Sequence, residues 1–236
     1  MKYLSQVYSQ ASGSIGGVTY SHNRSGLYTR SRVTPVNPSS TQQQYVRNAF
    51  SYLADRWVNG LLQTQRDSWD LYASNVPVTD KMGQSIYLTG MNQYIRSNTI
   101  RQQLNNLVGS TAFSLIDDGP NIFTLADTDP NATLTLTAPT TGSLAFNDSM
   151  DWCSEDGAIF ALYIGKPQNP GIKFYVNPYR IGAAVIGSAS SPITSPAVAA
   201  AQFSYTAGQR CFSYGRISRA DGRLSPIFRL ASVLAT

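Results

Sequence analysis

The chain has 236 residues, of which 42% are hydrophobic and only 13% are charged, and its formal net charge is +5. That length predicts one large domain or two small ones, with enough apolar residues for a core. No apolar run approaches the roughly 20 residues that a membrane-spanning helix needs, which excludes a helical membrane protein.

The positive charge is confined to the beginning of the chain. Residues 1–54 contain no acidic residue and five basic ones, Lys2, Arg24, Arg30, Arg32 and Arg47. The remaining residues carry as many basic as acidic side chains, so they are neutral as a whole. A basic segment on a neutral body is typical of a protein that binds an acidic partner. Because five charges over 54 residues are sparse for nucleic acid, we expect a protein partner and no nucleic acid.

Residues 1–38 are predicted to form an extended docking arm. Short runs of β-branched residues and tyrosine lie between glycines, and the run "HNRSG" is typical of a turn between two strands. Tyrosine and arginine together are common anchors of protein interfaces. The candidate partner-binding residues are therefore Tyr20, Arg24, Tyr28, Arg30 and Arg32. Two alternatives stay open for the tyrosines: packing within the same subunit, or stacking on single-stranded nucleic acid.

Residues 39–108 are predicted to be a small helical region. The first helix ends at Gly60, the second ends before Pro77, and the third begins near Thr89. Helical spacing puts one apolar face of the first helix at Val46, Ala49, Phe50, Leu53 and Trp57. We expect Trp57 and Trp69 both to be core residues. In the third helix the expected buried positions are Met91, Tyr94, Ile95 and Leu104.

Residues 109–236 are predicted to form strands. The run "NATLTLTAP" alternates strictly, and "GAIFALYIG", "GIKFYVNPY" and "GQRCFSYGRIS" are short apolar or aromatic runs separated by Gly, Pro and Asn. Asp221 and Gly222 mark a hairpin turn. The pattern predicts an antiparallel β-sandwich of immunoglobulin or fibronectin type III character. The whole chain is therefore expected to be α+β: arm, helical region and sandwich domain.

The side chains that catalysis needs are scarce. His22 is the only histidine, which excludes a histidine metal site, and the chain lacks the Gly-x-Ser-x-Gly turn of many serine hydrolases. We expect His22 to make hydrogen bonds in a turn or interface. No catalytic residue, metal or cofactor is predicted.

One acidic cluster leaves alternatives open. The run "NDSMDWCSEDG" contains Asp148, Asp151, Glu155 and Asp156. Such carboxylates are used for glycoside hydrolysis or for Ca²⁺ binding, although the spacing matches no EF-hand loop. The competing interpretation, which we favour, is a solvated loop anchored by Trp152.

The order of motifs resembles a widespread group of uncharacterised proteins of tailed bacteriophages and prophages. The resemblance is carried by "GSIGGVTYSHNRSGLYTRSRVTPVNPSSTQQQ", "TQRDSWDLYASNVPVTD", "TGMNQYIRSN" and, near the C-terminus, "GKPQNPGIKFYVNPYR" and "GQRCFSYGRISRADGRLSP". It covers nearly the whole chain. The resemblance implies a phage gene of the virion structural module, and it assigns no functional residue.

From the resemblance and the arm together we expect a non-enzymatic virion structural protein. It would be a capsid decoration or minor capsid protein, or a part of the head–tail connection. Its expected partners are other virion proteins of the capsid, portal or tail, with no membrane contact. The protein itself is expected to be a homo-oligomer or to be present in multiple copies per particle. It would reside in the virion, and in the host cytoplasm during assembly. The alternatives are a glycan-binding module of a phage fibre or tail, and a carboxylate-based glycan hydrolase.

Overall fold

The structure is a computed structural model and combines helices with antiparallel sheets, so the predicted α+β class is confirmed. It describes residues 12–24, 26–33, 36–80, 82–108, 113–128, 131–176, 178–200 and 203–236. The first part of the predicted arm, residues 1–11, lies outside the described residues. The chain divides into two units. The N-terminal unit is Met1–Gln44 with Thr79–Ile86, and the main unit is Tyr45–Val78 with Tyr87–Thr236.

The N-terminal unit contains a three-stranded antiparallel sheet in the order β1-β2-β3. Its strands are β1 (Gly13–Ile15), β2 (Val18–Asn23) and β3 (Gly26–Ser31). The predicted "HNRSG" turn is confirmed, because Asn23 faces Gly26 across the β2–β3 turn. A further two-stranded ladder joins β4 (Val78–Thr79) to β5 (Ser85–Ile86).

Three helices follow the predicted order. They are α1 (Thr41–Asp55), α2 (Gln63–Asn75) and α3 (Gly90–Val108). A π-helical turn, Arg56–Gly60, extends α1 and closes with a hydrogen bond from the Leu61 N–H to the Arg56 carbonyl oxygen (2.9 Å). The Thr89 hydroxyl accepts a hydrogen bond from the Asn92 N–H (3.3 Å), which caps α3 at its predicted start.

The prediction of which α1 residues are buried is only partly correct. Ala49 and Leu53 are buried, but Val46 and Phe50 are 50% and 56% exposed, and Trp57 is partly buried. The π turn is the physical reason for the position of Trp57, because hydrogen bonds from residue i+5 to residue i, in place of i+4 to i, change the direction of the side chains that follow Asp55. The buried face of α1 is therefore narrower than the sequence spacing predicts.

The helices enclose an aromatic core. Trp69, Tyr72 and Tyr94 are fully buried, and the Trp69 ring meets the Tyr94 ring edge-on at a centroid distance of 5.7 Å. The predicted burial of Tyr94, Ile95 and Leu104 is confirmed, whereas Met91 is only partly buried. Trp57 packs on the outside of this core, 5.5 Å from the Tyr94 ring.

The rest of the main unit is built mainly from short antiparallel strands. They are β6 (Thr133–Thr137), β7 (Thr141–Ala145), β8 (Ile159–Gly165), β9 (Tyr179–Ile186), β10 (Ala197–Ala200), β11 (Arg210–Cys211), β12 (Ser213–Ser218), β13 (Phe228–Arg229) and β14 (Val233–Leu234). Two sheets, of order β10-β7-β6 and β13-β12-β8-β9, contribute side chains to one core cluster. The predicted turn at Asp221 and Gly222 follows β12, and Gly222 adopts a left-handed φ of 96°.

Strand β8 is buried on both faces, which explains its continuous apolar sequence. Phe160 and Leu162 lie in the core shared by the two sheets, while Ile159 and Ala161 pack with Ile100 and the other buried residues of a separate cluster. Since Ile100 belongs to α3, the four-stranded sheet is covered by a helix on its second face.

An irregular segment, residues 113–124, is held by side chains of α2 and α3. Asn98 exchanges two hydrogen bonds with the Ile116 backbone, at 2.8 and 2.9 Å, and Asn105 exchanges two with the Phe113 backbone, both at 2.9 Å. From α2, the Trp69 indole N–H donates to the Asp117 carbonyl oxygen (2.8 Å). The helices therefore supply the hydrogen bonds that a neighbouring strand would otherwise provide.

Arg101 lies between these two asparagines on α3 and joins three chain segments. Its guanidinium donates to the carbonyl oxygens of Ser114 (3.3 Å), Gly157 (2.8 Å) and Arg219 (3.0 Å). The residue is 2% exposed. Burial lowers the pKa of Arg101 to about 10, so the side chain stays protonated at neutral pH and keeps its donors.

We expect Trp69→Ala to lower the free energy of unfolding by about 3–5 kcal/mol, because a fully buried ring and its hydrogen bond are lost. Trp57→Ala should cost at most about 2 kcal/mol, since part of that ring already contacts water. Urea denaturation of both variants measures the difference. Equal losses would contradict the burial described for the two rings.

Arg101→Met should lower the free energy of unfolding by at least about 2 kcal/mol, because the buried guanidinium and its hydrogen bonds to three backbone carbonyl oxygens are lost. The matched control is Arg47→Met on the exposed side of α1, which should change stability by no more than about 0.5 kcal/mol. A loss below about 1 kcal/mol for Arg101→Met would show that Arg101 does not hold the segments together.

Candidate partner-binding sheet

The sheet β1-β2-β3 contains no buried residue among those described. Each residue of β1 is exposed, and β2 and β3 contain only exposed and half-buried positions. A sheet of this size normally needs a covered hydrophobic face to be stable on its own. Its composition and exposure therefore make it the candidate interaction surface of the chain.

The pairing register divides the side chains of this sheet between two faces. Directly opposed residues of antiparallel strands project to the same face, and successive residues project to opposite faces. Ile15 faces Val18, and His22 faces Leu27. The first face, which we call the apolar face, carries Ile15, Val18, Tyr20, His22, Leu27 and Thr29.

The second face is polar and basic. Thr19 faces both Ser14 and Arg30, and Ser21 faces Tyr28. The hydroxyl groups of Ser14 and Thr19 lie 2.8 Å apart and share a hydrogen bond. We call this the basic face.

The five predicted partner-binding residues do not form one patch. Tyr20 is half-buried on the apolar face, whereas Tyr28 and Arg30 lie on the basic face. Arg24 is exposed in the β2–β3 turn. Arg32 is exposed beyond the end of β3, where its backbone N–H donates to the Gly17 carbonyl oxygen (2.8 Å). The prediction therefore named residues of both faces and of the sheet's ends.

Sequence reasoning missed the apolar face itself. Ile15 is 77% exposed and Val18 is 38% exposed, which is unusual for β-branched residues in a structured sheet. The sequence did contain a pattern that indicates two different faces. Val18, Tyr20 and His22 alternate with Thr19 and Ser21 at the two-residue period of a strand.

The arginines of this unit have no acidic partner within the described residues. Arg24, Arg30 and Arg32 form no ion pair there, and no acidic residue occurs before Asp55. Their charges are therefore directed to solvent and are available to an acidic surface.

His22 lies at an exposed position of β2, opposite Leu27. In the part of the chain that the structure describes, no group of three or more His, Cys, Asp or Glu side chains is arranged to hold a metal ion.

Three of the four acids of residues 148–156 make separate side-chain contacts. The Asp148 carboxylate accepts from the Ser195 N–H (3.3 Å), and Asp156 accepts from the Ala189 N–H (2.8 Å). Glu155 accepts from the Ala220 N–H (2.9 Å) and pairs with Arg219. Trp152 is 1% exposed and lies in the core, so it anchors the segment as predicted. Three of these carboxylates thus hold neighbouring loops in place.

Cys153 and Cys211 are both buried and are not joined to each other. The Cys153 thiol donates to the Asn147 carbonyl oxygen at 3.7 Å. Burial raises the pKa of the Cys211 thiol to about 12, so this thiol stays protonated and is a poor nucleophile at neutral pH.

Comparisons with protein-family models, with curated proteins and with solved structures find no match to this chain. Among the described residues, no helix is both long enough and apolar enough to cross a membrane.

Proposed function

We propose that the protein is a non-enzymatic structural component of a bacteriophage virion, and that the sheet β1-β2-β3 is its docking element. The observation that carries the proposal is a structured sheet with an exposed apolar face and arginines that no acid of the described chain neutralises. Such a surface gains stability when a partner covers it.

The chemistry of the sheet defines the partner. Ile15 and Val18 require an apolar surface, while Arg24, Arg30 and Arg32 favour acidic groups around it. Arginine suits this role because its planar guanidinium binds a carboxylate through two hydrogen bonds. The partner is therefore an acidic protein surface with an apolar centre.

The resemblance to tailed-phage proteins supports the virion as the setting. Within a particle, the proposed neighbours are proteins of the capsid, portal or tail, and the protein itself is a decoration, minor capsid or head–tail connection protein. Extended elements that dock on a neighbouring subunit are a recurring mode of recognition.

We also infer that the strand-rich part of the main unit is a β-sandwich. The inference is supported by Leu134 of β6, Leu144 of β7 and Phe160 of β8, which are buried in the same cluster although β8 belongs to a different sheet. The immunoglobulin or fibronectin type III character remains a prediction from the sequence pattern.

If the apolar face docks, Ile15→Asn with Val18→Asn should prevent incorporation of the protein into particles. The matched control is Ser14→Asn with Thr19→Asn, which changes the opposite face of the same two strands. Mass spectrometry of purified particles measures the copies incorporated, and circular dichroism tests whether each free variant is folded. Full incorporation of the apolar-face variant would refute docking through this face.

Arg30→Glu with Arg32→Glu should slow incorporation, and added salt should reduce the difference from the parent, because charges at the rim of an interface mainly affect the rate of association and are screened by salt. Deletion of residues 1–34 should abolish incorporation while the remaining chain stays folded. Particles that contain a full complement of the deleted protein would overturn the proposal. Tight, salt-dependent binding of DNA by the free protein would instead indicate a nucleic-acid partner.

A further inference from the structure

The main unit contains an open cleft of about 1020 Å³ between α1 and α3. Its α1 wall presents Tyr45, Asn48 and Tyr52, and its α3 wall presents Gln102 and Asn106. The volume is at the upper end of the range of small-molecule sites in proteins. None of these residues belongs to the proposed docking sheet.

The three residues of the α1 wall are spaced so that they lie on one face of the helix. Asn48 lies three residues after Tyr45, and Tyr52 lies four residues after Asn48, so an amide is placed between two aromatic rings. Tyr52 is 48% exposed, although large aromatic side chains of α2 and α3 such as Trp69 and Tyr94 are fully buried. The ring of Tyr52 is therefore accessible from the cleft.

The amides of α3 are held in place by hydrogen bonds. The Gln102 side-chain N–H donates to the Asn106 side-chain oxygen (3.0 Å), and the Asn106 side-chain N–H donates to the Tyr45 carbonyl oxygen (3.2 Å). A glutamine or asparagine amide has more donors and acceptors than these bonds use. The amides are thus oriented, and they retain capacity to bind a ligand.

The charge of the cleft is balanced. Arg56, which also lines it, donates two hydrogen bonds to the Asp117 carboxylate, at 3.0 and 2.6 Å. This hydrogen bond raises the pKa of Arg56 further above its ordinary value. Since the cation is already paired, the cleft gives no strong attraction to phosphate or to an acidic polymer.

We propose that this cleft binds a neutral oligosaccharide. The C–H face of a sugar ring stacks on tyrosine rings, and sugar hydroxyl groups both donate to and accept from amides, so two tyrosines that flank an amide match both parts of a sugar. The adjacent π turn, Arg56–Gly60, is consistent with a site, because such turns occur frequently at functional positions. The sequence alternatives placed glycan binding or hydrolysis in residues 109–236, whereas this cleft lies mainly between helices.

The experiment is a titration of the full-length protein with three neutral trisaccharides, cellotriose, maltotriose and chitotriose, followed by NMR of the sugar and by calorimetry. We expect saturable binding of at least one sugar with a Kd on the order of 1 mM or lower. Tyr52→Ala should weaken that binding about tenfold, because a stacking ring is lost. Tyr52→Phe should bind as the parent does, since it keeps the ring.

The matched control is Tyr87→Ala, another half-exposed tyrosine of the main unit that does not line the cleft, and it should leave binding unchanged. Asn48→Ala tests the amide independently and should also weaken binding. If none of the three sugars binds at concentrations up to about 10 mM, the proposal is overturned. It is equally overturned if a sugar binds but Tyr52→Ala and Asn48→Ala bind it as tightly as the parent.

Discussion

The main unit depends on how the backbone of residues 113–124 is hydrogen-bonded. This segment is neither helix nor strand, so its polar backbone groups need partners from elsewhere. Side chains of α2 and α3 supply them, and Arg101 extends the same network to the carbonyl oxygens of Gly157 and Arg219. Through this one arginine, a helix is joined to the turns that precede β8 and follow β12. The helices and the strand-rich residues therefore form one unit.

The main unit and the N-terminal sheet differ in how far their apolar residues are buried. The main unit buries apolar residues in three clusters, one inside the helices, one between the sheets, and one between α3 and β8. Among the described residues, the sheet β1-β2-β3 belongs to no such cluster, and Ile15 and Val18 are in contact with solvent. Burial thus accounts for the stability of the main unit, whereas the described residues of the N-terminal sheet lack a covered apolar face.

The sequence predicted those features that depend on local patterns. The α+β class, the turn after Asn23, the helix end at Gly60 and the burial of Trp69 all follow from alternation, helical spacing or glycine. It could not predict the irregular segment 113–124, because the stabilising contacts come from side chains distant in sequence. The spacing of Asn98, Arg101 and Asn105 on one helix face was visible, but polar residues at that spacing ordinarily indicate a solvated surface. The cleft between α1 and α3 was hidden for the same reason, since tyrosine and asparagine in a helix do not indicate which side faces another helix.

The arginines of the N-terminal sheet differ from several arginines of the main unit in whether an acidic side chain pairs with them. In the main unit, Arg56 is paired with Asp117, Arg219 with Glu155, and Arg223 with Asp221. These cations therefore contribute to internal structure, and their charges are compensated where they lie. Arg24, Arg30 and Arg32 have no such partner among the described residues, although the chain contains as many as thirteen acids. A charge that folding leaves uncompensated on an exposed sheet remains available to an acidic neighbour. This availability supports the proposal that the N-terminal sheet, more than the charge-balanced body, recognises another protein.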